Sequence, residues 1–224
     1  MRRAGAPASR ATAALVLVHG RGNSAADILG LGEALALPDL ALLAPDAPGR
    51  SWWPTSFLAP DAEIAPWLDR GLATLRACVA ALEDEGFARG AISVAGFSQG
   101  GCLALEFAAR EGAGLSAAFC YSGALLGTGD GDGPPRDDLY GYGPKRFDYP
   151  QRLDGLHVDM GCHERDPHIP LARFTESAAQ MQRLGANVTR RVYPGLGHAL
   201  AQEDVTALRG WLNRGTTGAE GRAR

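Results

Sequence analysis

The segment Ile92-Ser93-Val94-Ala95-Gly96-Phe97-Ser98-Gln99-Gly100 passes from a short apolar run through a G-x-S-x-G pattern into Cys102 to Arg110, a stretch compatible with a helix. With 9 serines and 30 glycines in 224 residues, chance alone yields such a pattern about one time in six, so the flanks carry the argument. A strand, a sharp turn and a helix around the serine are what a nucleophile elbow requires. The glycines let the turn form and leave room around the hydroxyl. That hydroxyl then projects at the carboxyl end of a sheet, beside a helix N-terminus.

Similar apolar runs lie on either side of this turn: Ala13 to Val18, Leu40 to Ala44, Ala91 to Ala95, Ala117 to Tyr121, Leu156 to Met160 and Val188 to Tyr193. They are continuous rather than alternating, which predicts parallel strands buried on both faces. Between them Leu68, Leu72, Leu75, Val79 and Leu82 form one helical stripe ending before Gly86. Phe174, Ala178 and Met181 repeat the spacing, as do Val205, Leu208 and Trp211. Strands alternating with helices imply βαβ crossovers and a three-layer, single-domain α/β fold over residues 13–213. Residues 1–12 are expected to be a flexible N-terminus and 214–224 a flexible tail. Leu126 to Pro150, rich in Gly and Pro, reads as a long irregular loop flanking a site, with a lid, a homodimer contact and disorder as alternatives.

The 22 basic and 25 acidic residues leave a net charge of -3, which offers no excess of cations to hold nucleic acid. Cys78, Cys102, Cys120 and Cys162 lie far apart with no C-x-x-C pair, the pattern of reduced core thiols in a cytoplasmic protein. Met1-Arg2-Arg3 followed by Ala13 to Val18 loosely resembles a signal peptide. The apolar run, however, ends in His19-Gly20-Arg21-Gly22 with no small-residue cleavage site, and it is far shorter than the roughly 20 residues of a membrane span.

A serine nucleophile needs a base, and the base needs a group to orient it. In a hydrolase sheet these follow in the order Ser, Asp or Glu, His. His198 stands in the Gly-rich stretch Tyr193 to Ala199 directly after the last apolar run, and Asp166 in Arg165-Asp166-Pro167-His168-Ile169-Pro170 after the run ending near Met160. A helix cap or Asp-Pro turn is the plain alternative for Asp166, and a surface-loop histidine for His198. The oxyanion needs two backbone N–H donors: Gln99 supplies one, and Arg21, flanked by glycines, is the choice for the other. His19 is expected to orient that early loop.

Leu17-Val18-His19-Gly20-Arg21-Gly22, Ala95 to Gly101, Tyr121-Ser122-Gly123, Asp166 to Pro170 and Gly197-His198 together resemble the phospholipase/carboxylesterase family of α/β hydrolases, which includes the acyl-protein thioesterases. The resemblance spans roughly residues 13–213. It implies an α/β-hydrolase fold and cofactor-free hydrolysis of a small ester or thioester, with the serine triad on Ser98, Asp166 and His198 and the early oxyanion donor on Arg21. The thioesterases usually carry an aliphatic residue where Arg21 stands and a small apolar one at His168. Trp52 and Trp53, just after the second apolar run on the edge where the site should form, are taken with Phe57 and His168 as the substrate-facing set. A bacterial branch of the family, described as esterases, is similar in combining His-Gly-Arg-Gly with Trp-Trp-Pro. The expectation is an esterase for small or medium acyl groups. A thioesterase, a dienelactone-type hydrolase and an idle binding protein on the same fold are the alternatives. Cys162, His163, Glu164, Asp166 and His168 crowd metal-donor types into seven positions, but match no zinc spacing, and no metal is expected.

Overall fold

The computed structural model describes residues 1–129 and 131–217. In chain order the elements are β1 (Arg2–Gly5), β2 (Ala13–Val18), α1 (Ala25–Ala34), β3 (Leu40–Ala44), α2 (Asp61–Asp84), β4 (Ile92–Phe97), α3 (Gln99–Glu111), β5 (Ala117–Tyr121), β6 (His157–Arg165), α4 (Leu171–Arg183), β7 (Asn187–Leu196) and α5 (Gln202–Thr217). The strands form one sheet in the order β1-β3-β2-β4-β5-β6-β7, antiparallel at β1 and parallel elsewhere.

Strand periodicity divides the core in two. Ala14, Val16 and Val18 of β2 point to the face packed by α2, α3 and α4, while Ala13, Leu15 and Leu17 point to the face packed by α1 and α5. The stripe Leu68, Leu72, Leu75, Val79 and Leu82 is the buried side of α2. Gly86, at φ 98°, ends that helix in a conformation a side chain would disfavour. Ser24 begins α1 with a reciprocal capping box to Asp27.

Three expectations are corrected. Residues 1–12 are not simply flexible, because Arg2 to Gly5 pair with Ala44 to Ala41 as an antiparallel edge strand. Val188 to Tyr193 is a strand, but among the described residues β7 pairs with β6 alone, so it is half exposed and carries Arg190 and Arg191, charges suited to an open edge. The expected tail from 214 begins inside α5, which runs to Thr217, and residues 218–224 lie outside the described residues.

Among the described residues, the stretch Leu126 to Pro150 carries a single helical turn at Asp137–Leu139 and isolated bridges from Thr128 to Pro60 and from Arg136 to Tyr142, and it is tied to three helices. Tyr149 donates to Glu106 of α3 at 2.8 Å, Lys145 binds Asp61 of α2 at 2.8 Å, and Arg136 binds Glu176 of α4 at 2.6 Å. Among the described residues, no helix is long and apolar enough to cross a membrane.

Candidate active site

The turn from β4 into α3 holds Ser98 at φ 56°, ψ −124°, a conformation serine rarely adopts. Its N–H donates to the Tyr121 carbonyl at 2.8 Å. Backbones crowd the turn so closely that only hydrogen fits at two positions. A Cβ on Gly96 would lie 2.2 Å from the Gly100 oxygen, and one on Gly100 would lie 2.1 Å from the Val18 oxygen. The pattern around Ser98 is thus a steric requirement of packing α3 across β2 and β4.

Two loops at the same sheet edge complete the site. Asp166 follows β6, which runs past Met160 to Arg165 with a register shift between His163 and Arg165. His198 follows β7 by two residues. His198 Nε2 is 2.8 Å from Ser98 Oγ, and Nδ1 is 2.8 and 3.0 Å from the two Asp166 carboxylate oxygens. Asp166 Oδ1 also accepts the N–H groups of His168 and Ile169 at 2.8 and 3.0 Å. Burial pushes this carboxyl up, but the hydrogen bonds from His198 and from the two backbone N–H groups outweigh it and hold its pKa below the ordinary value. An ionised Asp166 only accepts, so the proton sits on Nδ1 and the Nε2 lone pair faces the serine hydroxyl.

His19 is buried and ties the early loop down. Its Nε2 accepts the Ala47 N–H at 3.0 Å, which leaves Nδ1–H to donate to the Gly20 carbonyl at 2.8 Å. Gln99 is the first residue of α3, so its backbone N–H belongs to the group at a helix start without intrahelical acceptors. Its buried side chain accepts the Trp52 N–H at 2.9 Å and donates to the Trp53 carbonyl at 2.8 Å. The Arg21 guanidinium donates to the carbonyls of Pro54 and Thr55.

An open cleft of about 610 Å³ lies over Ser98 and His198, with Trp53, Phe57, Phe97 and His168 in its walls. His168 meets His198 edge-on at 4.7 Å. Trp52, taken from the sequence as substrate-facing, does not line this cleft. It is buried behind it, 5.2 Å from the His19 ring, and its indole N–H donates to the His19 carbonyl at 2.9 Å. The donors crowded at 162–168 disperse: Glu164 accepts the Gly195 N–H, His163 packs on Tyr193, and Cys162 lies 3.7 Å from Asp166. Sequence reasoning missed Tyr140, whose hydroxyl reaches from the long loop to the Asp166 carbonyl at 2.7 Å. No periodicity or motif in that Gly-rich stretch signals the contact.

The profile of the phospholipase/carboxylesterase family matches residues 3–130. Lysophospholipase-like protein 1 of Mus musculus is 23% identical over 228 residues, covering 92% of this chain and 88% of its own. Among solved structures, a phospholipase/carboxylesterase from Dyadobacter fermentans is 32% identical with a TM-score of 0.81, covering 95% of each chain. A Bacillus cereus carboxylesterase, 18% identical over 96% of this chain and 94% of its own, shares the fold with a TM-score of 0.70. With a profile over more than half its length and such a relative along nearly all of it, the chain belongs to the phospholipase/carboxylesterase family of α/β hydrolases.

Proposed function

We propose that this chain is a serine hydrolase that cleaves carboxylic esters of small or medium acyl groups, with Ser98 as nucleophile, His198 as base and Asp166 as its orienting partner. The observation that carries this reading is the unbroken hydrogen-bond chain from the Asp166 carboxylate through His198 to Ser98 Oγ, opening into the cleft.

Ser98 Oγ attacks the ester carbonyl as His198 Nε2 takes its proton, and the Nδ1–H bond to Asp166 stabilises the imidazolium that forms. The negative oxygen of the tetrahedral intermediate takes the backbone N–H groups of Gln99 and Arg21, the first aided by the positive end of α3. Collapse breaks the C–O bond, the imidazolium returns its proton to the leaving alkoxide, and the acyl group stays on Ser98. Water, deprotonated by His198, attacks that acyl-enzyme; collapse breaks the Ser98 Oγ–C bond, the imidazolium returns its proton to Ser98 Oγ, and the acid leaves. The cleft's mixed walls, Trp53 and Phe57 beside Asn23, Thr55 and Ser56, favour short chains over long apolar ones. Four unpaired, buried cysteines favour a reducing compartment, hence a cytoplasmic setting.

The test is hydrolysis of p-nitrophenyl esters from acetate to palmitate by wild type and Ser98→Ala, with and without a chelator. The expected result is turnover falling beyond medium chains, reduced by roughly 10³-fold or more in Ser98→Ala and indifferent to the chelator. Full activity in Ser98→Ala, or none in wild type on any ester, would contradict the reading.

A further inference from the structure

We propose that the cleft takes esters bearing a carboxylate a few bonds from the scissile carbonyl, and that the Arg21 guanidinium receives it. This deepens the serine-hydrolase reading and rests on it. Arg21 is exposed, yet its side chain is fixed: Nη1 donates to the Pro54 carbonyl at 2.8 Å and Nη2 to the Thr55 carbonyl. Both acceptors are neutral, and both residues belong to the cleft wall. The Gln99 side chain clasps the two residues just before them, so the guanidinium hangs from a braced strip of backbone.

The positive charge is uncompensated. Arg3, Arg76, Arg136 and Arg191 each face a carboxylate, whereas no carboxylate lies within ion-pair distance of Arg21 among the described residues. None of the residues lining the cleft is Asp or Glu. Two of the five guanidinium N–H groups are spent on the carbonyls, which leaves three, one on each nitrogen, to donate to a carboxylate.

Position completes the argument. A Cβ on Gly20 would lie 3.4 Å from the Ser98 Cβ, so Arg21 starts one residue from the nucleophile and reaches along the wall from there. Arg21 and Ser98 line the same cleft, so a substrate seated on Ser98 shares its walls with this cation. Asn23, Thr55 and Ser56 offer further hydrogen-bond donors around it. In a cleft free of other carboxylates, that anion gains a pairing that a neutral chain of the same length cannot make.

Monomethyl glutarate and methyl hexanoate place a carboxylate and an ethyl group at the same point, and both can be followed by acid released at constant pH. p-Nitrophenyl acetate reports Ser98 chemistry separately. The expected ratio of kcat/KM, glutarate over hexanoate, is about tenfold in wild type, and it falls as salt is raised. Arg21→Gln keeps the backbone N–H and brings the ratio to about one, whatever it does to absolute rates, and Arg21→Lys restores part of it. A wild-type ratio at or below one, a ratio unmoved by salt, or one that survives Arg21→Gln overturns the proposal and leaves the hydrolase reading standing. Should Arg21→Gln fail to fold, the salt dependence of the wild-type ratio decides. Absence of Ser98-dependent turnover on all three esters strikes the underlying reading instead.

Discussion

The Gln99 side-chain amide clasps the backbone on either side of the Trp52–Trp53 peptide, accepting the N–H of the first at 2.9 Å and donating to the carbonyl of the second at 2.8 Å. One residue thereby joins the start of α3, where the proposed oxyanion donor lies, to the wall of the cleft. Gln99→Ala strands the buried Trp52 N–H and leaves the Trp53 carbonyl to the Ser51 hydroxyl alone, a loss of about 2 kcal/mol. Urea unfolding reads it directly, and Tm is expected to fall by roughly 4–8 °C. A change below about 0.5 kcal/mol, the range of an ordinary surface substitution, contradicts the clasp.

Asp166→Asn keeps the shape of the acid loop and removes the charge that fixes the His198 proton on Nδ1. The expected cost is roughly 10³–10⁴-fold in kcat, with little change in fold by circular dichroism. The same carboxyl links stability to pH. Its folded pKa is depressed below an unfolded value of about 3.9, so its contribution is fully present above that value and is lost as the pH falls through the lower folded value. Wild type should therefore lose this increment below about pH 4, and Asp166→Asn should lack that part of the acid limb.

Much of this is legible in the amino-acid sequence, for identifiable reasons. Gly96 and Gly100 announce the elbow because backbone contacts near 2 Å admit no other residue. Asp166 and His198 can be placed because each follows a strand at the edge where Ser98 emerges. What escaped reading depends on long-range packing. Arg2 to Gly5 has no apolar run and joins the sheet through backbone pairing. Gly30 and Gly32 mask α1, although Gly32 is where the side chains of Leu17 and Leu42 press closest. The adjacent tryptophans look equivalent in sequence, yet one lines the cleft and the other is buried behind it against His19. Tyr140 meets the Asp166 carbonyl only because the loop is strapped to α2, α3 and α4.

The glycines separate close approach from conformational freedom. Gly100→Ala sets a methyl 2.1 Å from the Val18 oxygen and 2.5 Å from the His19 oxygen, both backbone atoms. Destabilisation above about 4 kcal/mol, or no soluble protein, is expected. Gly30→Ala, on the exposed side of α1 with nothing within 4 Å, should stabilise by about 1 kcal/mol. Thermal unfolding of the two variants side by side checks both signs.

Cys102 lies at the cleft but is buried, and burial pushes its thiol up to about 12. Only about one molecule in ten thousand would carry the thiolate at pH 8. Native protein treated with iodoacetamide at that pH should take no label at Cys102, and all four cysteines should react in urea. Labelling of Cys102 at native stability would show that the cleft floor opens.

The most direct test of the central claim is intact-protein mass spectrometry after exposure to a fluorophosphonate, which traps a serine made nucleophilic by a neighbouring base. A single adduct on Ser98, absent in Ser98→Ala and slowed at least a hundredfold in His198→Ala, is the expected result. An adduct elsewhere, or an unmodified Ser98 in folded wild type, would contradict the assignment of Ser98 and His198 as nucleophile and base.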